Sequence, residues 1–312
     1  MRGFLSMTYP RAHLVDAENG GLYHCLSRCV RRAWLCGEDA ASGRSFEHRK
    51  EWVEHCLLNL ASIFTVNLFG YAVLSNHYHL IIETLPHEAR QLTDVEVAQR
   101  WLRLSPSLSE KTAQKRLAAL LDNPTRLAEL RLRLGSLSWF MRYINEPIAR
   151  RANKEDGCKG RFWEGRFQSF ALLDEPAAVC GLTYVDLNPI RAAITTSVQH
   201  SPHTSIKRRI ALQHTDCAPL ADLSRLGLTL SSYRQLLEWT VALERGAPLE
   251  PSDSTRHLFK RFGHQPADWH SRVMAIRRHY RAYGSADNLK RYADKIGQRW
   301  IKGIKALRSA SP

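Results

Sequence analysis

Hydrophobic and polar positions along the first part of the chain predict a strand, a helix and then two more strands. Residues 21–30, GLYHCLSRCV, alternate as a half-buried strand does. Residues 47–64, EHRKEWVEHCLLNLASIF, repeat their apolar positions with the period of an amphipathic helix. Two short strand-like runs follow, LFGYAVL (68–74) and HYHLIIE (77–83), and the Ser-Asn pair between them suits a tight turn. The pair predicts a β-hairpin.

The pattern becomes helical after this hairpin. Residues 88–135 are rich in Leu, Ala, Arg and Glu and predict a helical insertion, and the helical period continues through 136–154. The segment 161–173, RFWEGRFQSFALL, is typical of a strand interrupted by glycine. Asp174 then precedes EPAAVCGLTYVDL (175–187), a helix with proline in its first turn.

The order of these elements predicts an α+β fold. It is β-α-β-β-α-β with one more helix after the fourth strand, which matches the ferredoxin-like split arrangement around a single antiparallel sheet. We place a domain over residues 1–205, with the helical insertion at about 88–135. Residues 206–312 then form a basic, mainly helical C-terminal domain with a possible role in DNA binding.

Charge narrows the class of partner. The 312 residues include 45 Lys and Arg against 30 Asp and Glu, a net charge of +15, and the pI is near 9.8. From residue 256 to the end, 14 Lys or Arg stand against three Asp, so +11 of that charge lies in the last 57 residues. Such a balance favours nucleic acid as the partner, and a solvated basic tail is the alternative. No apolar run reaches the roughly 20 residues of a membrane span, and the N-terminus lacks an export signal, so we expect a cytoplasmic protein without a membrane partner.

Two groups of residues have the chemistry of metal ligands. His77 and His79 are one residue apart on a predicted strand, so both imidazoles point to the same face and can chelate one ion, although a third ligand must come from elsewhere. The second group begins at His24 and includes three of the seven cysteines, at positions 25, 29 and 36. Its spacing fits no common zinc pattern, and no Cys-x-x-Cys pair occurs, so reduced thiols are expected.

Three motifs in order carry a resemblance to a known family. NHYHLII, GRFWEGRFQS and LTYVDLNPIRA together resemble the REP-associated tyrosine transposases, the single-tyrosine branch of the HUH nucleases, over roughly residues 20–205. The resemblance implies a ferredoxin-like fold, a divalent metal held by His77 and His79, and Tyr184 as the nucleophile that cuts single-stranded DNA. The sequence departs from the family pattern at Tyr78, where an aliphatic residue is usual, and Tyr78 is a rival tyrosine.

The implied chemistry needs these residue types. A phenol with a pKa of about 10 is a weak nucleophile at neutral pH, so attack on a phosphodiester needs a polarised phosphate, which a divalent metal supplies. We expect Mg²⁺ or Mn²⁺, with Zn²⁺ left open. The third ligand is expected to be Asn188, four residues after Tyr184 and so on the same helical face, with Asp186 as a substitute. Asn188 precedes Pro189, which disfavours helical geometry at that position.

Several residues are candidates for contact with nucleic acid. Arg161 and Arg166 are expected to pair with phosphates and Trp163 to stack on an unpaired base, while the alternative is a strand with one core aromatic. Gly181 marks either a close approach of DNA backbone or a packing contact. Expected phosphate contacts in the basic tail are Arg277, Arg278, Arg281, Lys290 and Arg291.

The sequence therefore predicts a single-stranded DNA endonuclease and strand transferase that acts at hairpins or repetitive palindromes. Rolling-circle initiators and relaxases use the same chemistry but usually order the motifs differently or carry two tyrosines. The alternative from another class is a non-catalytic regulator that binds single strands or hairpins through an RRM-like sheet, although the RRM aromatic motif is absent. In that case Tyr184 is only a half-buried aromatic on an amphipathic helix. The recognised DNA sequence is undetermined, and a homodimer is left open.

Overall fold

The structure is a computed structural model and describes residues 14–30, 35–37, 43–105, 109–212, 218–247, 249–278, 281–299 and 301. Its strands are β1 (Gly21–Arg28), β2 (Val66–Val73), β3 (His77–Thr84), β4 (Gln168–Leu172) and β5 (Ala282–Tyr283). Its α-helices are α1 (His48–Ala61), α2 (Pro86–Gln91), α3 (Asp94–Leu102), α4 (Glu110–Leu121), α5 (Pro124–Leu134), α6 (Leu137–Glu155), α7 (Glu175–Asp186), α8 (Asn188–Arg191), α9 (Ser205–Leu212), α10 (Leu230–Glu244), α11 (Asp253–Phe262), α12 (Trp269–Ala275) and α13 (Ala286–Lys295).

The five strands form one sheet in the order β2-β3-β1-β4-β5. The first four are antiparallel to their neighbours, and β5 pairs in parallel with β4. The α+β class is therefore confirmed. The expectation of a purely antiparallel sheet is wrong, because a two-residue strand from the C-terminal region adds a parallel edge that is too short to leave a periodic pattern.

Strand β4 is shorter than the sequence predicts. It begins at Gln168, whereas 161–167 is irregular apart from one bridge between Trp163 and Cys29. The glycine within this segment and the alternating aromatic and charged residues imitate a strand pattern without forming the ladder.

Alternation along the strands divides the apolar side chains between two hydrophobic clusters, one on each face of the sheet. Tyr78, Leu80 and Ile82 face a cluster that includes side chains of α1, α6 and the insertion helices α3 and α5. Ile81 faces a second cluster, built with α7, α10 and α12. Both faces of the sheet are thus covered by helices, which bury its apolar side chains on either side.

Helix α7 lies close against the sheet because of a glycine. A Cβ added at Gly181 would lie 3.0 Å from Leu172 Cδ1 and 3.2 Å from Ile81 Cδ1, tighter than almost all real contacts. Gly181 therefore has the packing role, and the alternative of an approach by DNA backbone is not supported. This close packing places the residues of α7 directly over β3.

The segment that the sequence predicts as an insertion is largely helical in its described residues. Ser109 caps α4 by accepting a hydrogen bond from the Thr112 main chain, and Thr93 with Glu96 forms a capping box at α3. Leu127 and Leu130 of α5 are buried in the cluster on the α1 side. The insertion therefore extends one core of the sheet domain.

Helices α10 and α12 of the C-terminal region pack on the α7 side. Tyr233 of α10 and Trp269 of α12 lie in the same buried cluster as α7, and Thr204 and Leu220 form single bridges to β2. The boundary near residue 205 stays a prediction. Within the described ranges, no helix is both long and apolar enough to cross a membrane.

Candidate active site

Three histidines share the face of the sheet that α7 covers. In the antiparallel pair, Leu26 of β1 lies opposite His79 of β3, so His24, two residues away on β1, points to the same side as His77 and His79. The ring centroids of His77 and His79 are 4.8 Å apart. Those of His24 and His79 are 5.0 Å apart and stacked. The predicted pair is therefore brought together, and a third imidazole joins it.

Each histidine of the pair uses Nδ1 in a hydrogen bond to a neighbour. His77 Nδ1 lies 2.5 Å from Asn76 Oδ1, and because an amide oxygen only accepts, the imidazole donates there. His79 Nδ1 lies 2.9 Å from Nε2 of His24, which is buried. An imidazole that donates through Nδ1 has its lone pair on Nε2, the form in which histidine ligates a metal.

Tyr184 lies beside these imidazoles. Asp174 caps α7 by accepting from the Ala177 main chain, and proline occupies the first turn. Near the other end of α7, the Tyr184 ring meets His79 edge-on at 5.7 Å and His24 at 5.9 Å between centroids. Tyr184 is 8% exposed, and its hydroxyl makes no hydrogen bond to the part of the chain that the structure describes.

An arginine holds Tyr184 from the other side. The Arg191 guanidinium lies 5.3 Å from the centre of the Tyr184 ring, and its Nη1 donates to the Tyr184 carbonyl oxygen at 3.0 Å. Glu244 at the end of α10 accepts from Arg191 Nη2 at 2.5 Å and from Nε at 3.1 Å. Sequence reasoning missed both Arg191 and Glu244, because no local pattern links α8 with α10.

Asn188 follows Tyr184 along an almost continuous helical path. Leu187, between α7 and α8, has φ −88° and ψ −2° and donates to the Thr183 carbonyl at 3.1 Å. Asn188 itself begins α8, so Pro189 does not displace it from helical structure. Its side chain is buried, and Nδ2 donates no hydrogen bond to the described residues.

The donor set fits a hard divalent ion. Two imidazoles on one strand face offer nitrogen ligands and the buried Asn188 amide offers an oxygen, a mixed set that would suit Mg²⁺ or Mn²⁺ with open positions. Among the described residues, no group of three or more His, Cys, Asp or Glu side chains is placed to hold a metal ion. Asn188 as the third ligand stays a prediction.

Asp186, the substitute ligand, is engaged elsewhere. It is fully buried, and its carboxylate accepts from Ser205 Oγ at 2.7 Å, from the Ile206 main chain at 3.0 Å and from Tyr233 Oη at 2.7 Å. Burial raises the pKa of Asp186 to about 6. These contacts argue against Asp186 as a metal ligand and make it a link between α7, α9 and α10.

The second candidate metal group is divided by the sheet. Cys25 lies in the cluster on the α1 side with Cys29 and Cys36, whereas His24 points to the α7 side. A shared ion between His24 and these thiols is therefore wrong, because successive residues of a strand face opposite ways. Burial raises the pKa of the Cys36 thiol above its ordinary range, as expected of an inert core cysteine.

Tyr78, the rival tyrosine, also lies on the α1 side. It is fully buried, and its hydroxyl donates to Asn145 Oδ1 at 2.7 Å. Burial raises the pKa of Tyr78 above its ordinary range. Tyr78 is thus a core residue on the opposite face of β3 from the histidines.

The predicted nucleic-acid contacts in the segment before β4 lie partly in the core and partly on the surface. Trp163 is 9% exposed, packs edge-on against Tyr78, and donates from Nε1 to the Asn145 carbonyl at 2.8 Å. This placement favours the core interpretation of Trp163 over a base-stacking one. Arg161 and Arg166 are exposed, as phosphate contacts must be.

The predicted phosphate contacts in the basic C-terminal region differ in their exposure. Arg277, Lys290 and Arg291 are exposed, whereas Arg281 is half-buried, and burial lowers the pKa of its guanidinium. Arg278 ends a short 3₁₀ helix, and its side chain lies outside the described residues. Among described groups, no ion pair is formed by Arg161, Arg166, Arg277, Lys290 or Arg291.

Comparison with known proteins gives one distant likeness. No protein-family model matches the sequence, and no curated protein matches it significantly. A solved structure of a REP-associated tyrosine transposase bound to a REP hairpin is 14% identical, covers 69% of this chain and 92% of its own, and has a TM-score of 0.35.

Proposed function

We propose that the protein is a metal-dependent single-stranded DNA endonuclease and strand transferase of the single-tyrosine HUH type. In this proposal Tyr184 is the nucleophile, and His77, His79 and Asn188 bind Mg²⁺ or Mn²⁺. The antiparallel order β2-β3-β1-β4, with α1 and α6 on one face, supports a ferredoxin-like core for the domain.

One observation carries the proposal. The phenol of Tyr184 lies edge-on to His79 at 5.7 Å, on the face of β3 that also carries His77. A nucleophile and a metal-binding imidazole pair must stand this close for both to reach one phosphate group. Tyr78, the rival tyrosine, lies on the opposite face of β3.

The reaction proposed is transesterification. The Tyr184 hydroxyl releases its proton to solvent, and its oxygen attacks a phosphodiester phosphorus to form a phosphotyrosine bond. The P–O bond to the leaving nucleotide breaks, and the leaving oxygen takes up a proton from solvent to give a free hydroxyl. A bound divalent ion would polarise the scissile phosphate and offset the charge that develops on it. Because one phosphoester replaces another, the covalent strand is ready for transfer to a second DNA end without ATP. Arg191 holds the phenol in place during attack.

We propose single-stranded or hairpin DNA as the substrate. The net charge of +15 favours a polyanion, as do the exposed cations Arg161 and Arg166, which form no ion pair with the described groups. The alternative of an RRM-like regulator is less favoured, because an RRM sheet stacks bases on an open face and both faces here are packed under helices.

The decisive experiment is covalent capture. The protein is incubated with end-labelled hairpin DNA and Mn²⁺, denatured, and examined for a slow-migrating adduct. We expect an adduct in the wild type, none in Tyr184→Phe, and a loss of at least about 100-fold in His77→Ala. Tyr143→Phe is the matched control, because Tyr143 is a half-buried tyrosine packed against the aromatic group at the insertion.

Two results would contradict the proposal. An adduct retained by Tyr184→Phe would reject Tyr184 as the nucleophile. A wild type that binds hairpins with strong salt dependence yet cuts with neither Mg²⁺ nor Mn²⁺ would establish the binding regulator instead.

A further inference from the structure

The two histidines of the proposed metal site are each oriented by a different neighbour. His77 donates from Nδ1 to Asn76 Oδ1 at 2.5 Å, and Asn76 lies in the turn just before β3. His79 Nδ1 meets His24 Nε2 at 2.9 Å, and His24 lies in the middle of β1. The same ring atom is thus engaged in both imidazoles, by two residues from separate elements.

We propose that Asn76 and His24 are positioning residues that fix the tautomers of His77 and His79, so that both present Nε2 to one divalent ion. The inference rests on the proposed function, because it concerns the metal of that site. A histidine ligates through a lone pair, so a proton held at Nδ1 by an acceptor reserves Nε2 for the metal. Asn76 Oδ1 accepts that proton from His77, and His24 Nε2 accepts it from His79.

His24 is held too firmly to follow a rotating neighbour. It is 1% exposed, and its ring is packed at 5.7 Å from Phe170 and 5.9 Å from Tyr184 between centroids. A flip of the His79 ring would put a C–H against His24 Nε2 and break the 2.9 Å contact between the two ring nitrogens. The observed orientation of His79 is therefore the one that this packing selects.

Asn76 is held by its main chain. The Asn76 carbonyl accepts from Cys29 N at 2.9 Å, and the Ser75 carbonyl accepts from Cys36 N at 2.8 Å. The turn is thereby tied to the chain that continues from β1. These bonds fix the main chain from which the Asn76 side chain reaches His77 Nδ1.

His24 also connects the metal ligand with the nucleophile. Its ring touches both His79 and Tyr184, whose rings are themselves 5.7 Å apart. A change at His24 is therefore expected to alter metal affinity, a property of the protein without DNA, and not only the rate of cleavage.

The test measures metal binding directly. Mn²⁺ is titrated into DNA-free protein, and free Mn²⁺ is followed by its EPR signal. We expect His24→Phe, which keeps a ring but removes the acceptor, to weaken Mn²⁺ binding by 10- to 100-fold, as orienting partners of metal ligands usually do. His24→Gln keeps an acceptor and is expected to recover most of the affinity. Asn76→Ala is expected to lose affinity and Asn76→Asp to retain it.

His257→Phe is the control, because His257 is an exposed histidine on α11. Thermal melts and hairpin binding in EDTA report whether each variant is folded. If His24→Phe does not fold, the positioning role is tested with the His24→Gln and Asn76 variants. Wild-type Mn²⁺ affinity in folded His24→Phe and Asn76→Ala, together with a loss in His77→Ala, overturns the positioning role alone. Mn²⁺ binding that His77→Ala leaves unchanged rejects the proposed metal site itself.

Discussion

At the scale of single residues, the orientation of Tyr184 depends on a cation from another helix. Arg191 lies over the phenol ring and bonds its main chain, while Glu244 fixes the guanidinium from α10. A partly buried cation–π contact contributes about 1–2 kcal/mol, and only a planar guanidinium can stack and bond at once. We expect Arg191→Lys to reduce the rate of DNA cleavage about 10-fold, measured by single-turnover adduct formation.

The affinity for hairpin DNA distinguishes a positioning role of Arg191 from a direct contact with phosphate. Because Arg191 is largely buried and paired with Glu244, Arg191→Lys should leave hairpin affinity within about 2-fold, and Glu244→Gln should lower the rate in the same direction. Arg234→Lys is the matched control, since Arg234 pairs with Glu238 on the surface of α10. A variant with an unchanged rate, or one that loses only affinity, would remove Arg191 from the positioning of Tyr184.

The sequence predicts the principal residues of the site but not their partners. His77 and His79 follow from strand alternation, and Tyr184 was expected from the order of the motifs. The structure places the three side by side, whereas their catalytic and metal-binding roles stay predictions. The contact of His24 with His79 was not predictable, because it depends on the register between β1 and β3. The sequence around Trp163 is compatible with a core position and with a surface position of the indole, and only its packing against Tyr78 distinguishes the two.

At the scale of elements, a buried carboxylate joins α7 to the C-terminal helices. Burial raises the pKa of Asp186 to about 6 from its ordinary 3.8, although Ser205, Ile206 and Tyr233 donate to it. The folded state therefore binds the proton of the Asp186 carboxyl more tightly than the unfolded state does. The contribution of Asp186 to stability consequently falls as pH rises from about 4 to 6.

The prediction is a difference in unfolding free energy. The free energy of unfolding of the wild type minus that of Asp186→Asn should fall by up to about 3 kcal/mol between pH 4 and 7, because the amide of the variant does not titrate. Chemical denaturation at several pH values measures it. Asp222→Asn is a control of opposite sign: the Ser224 main chain lowers the pKa of the exposed Asp222, so its stabilising contribution is lost as pH falls. A constant difference for Asp186→Asn would show that the carboxylate titrates normally.

Elements with a long period were predictable, and short or irregular ones were not. Helices α1 and α6 and the β2-β3 hairpin lie where periodicity indicates them, and α7 begins directly after Asp174. Strand β5 has two residues, Ala282 and Tyr283, and forms only because β4 offers an open edge. Such a strand depends on tertiary contact and leaves no local signal.

At the scale of the whole molecule, not all of the positive charge is available to a partner. Arg142 and Arg150 are exposed but share Glu146 on α6, whereas Arg161 and Arg166 beside β4 have no ion-pair partner among the described groups. An unpaired cation releases a counterion from DNA without first breaking a salt bridge. Net charge alone does not distinguish these two classes of arginine, whereas the ion pairs of the structure do.

Salt dependence of binding measures which arginines contact phosphate. Hairpin affinity is determined from roughly 50 to 200 mM salt, where each phosphate contact on a single strand contributes about 0.7 to the slope of log K against log salt. We expect Arg161→Gln with Arg166→Gln to reduce that slope by about 1.4, whereas the matched double variant Arg142→Gln with Arg150→Gln leaves it nearly unchanged. Equal slopes for both double variants would mean that the DNA follows another face of the molecule, and the exposed cations of α13, Lys290 and Arg291, would be the next pair to replace.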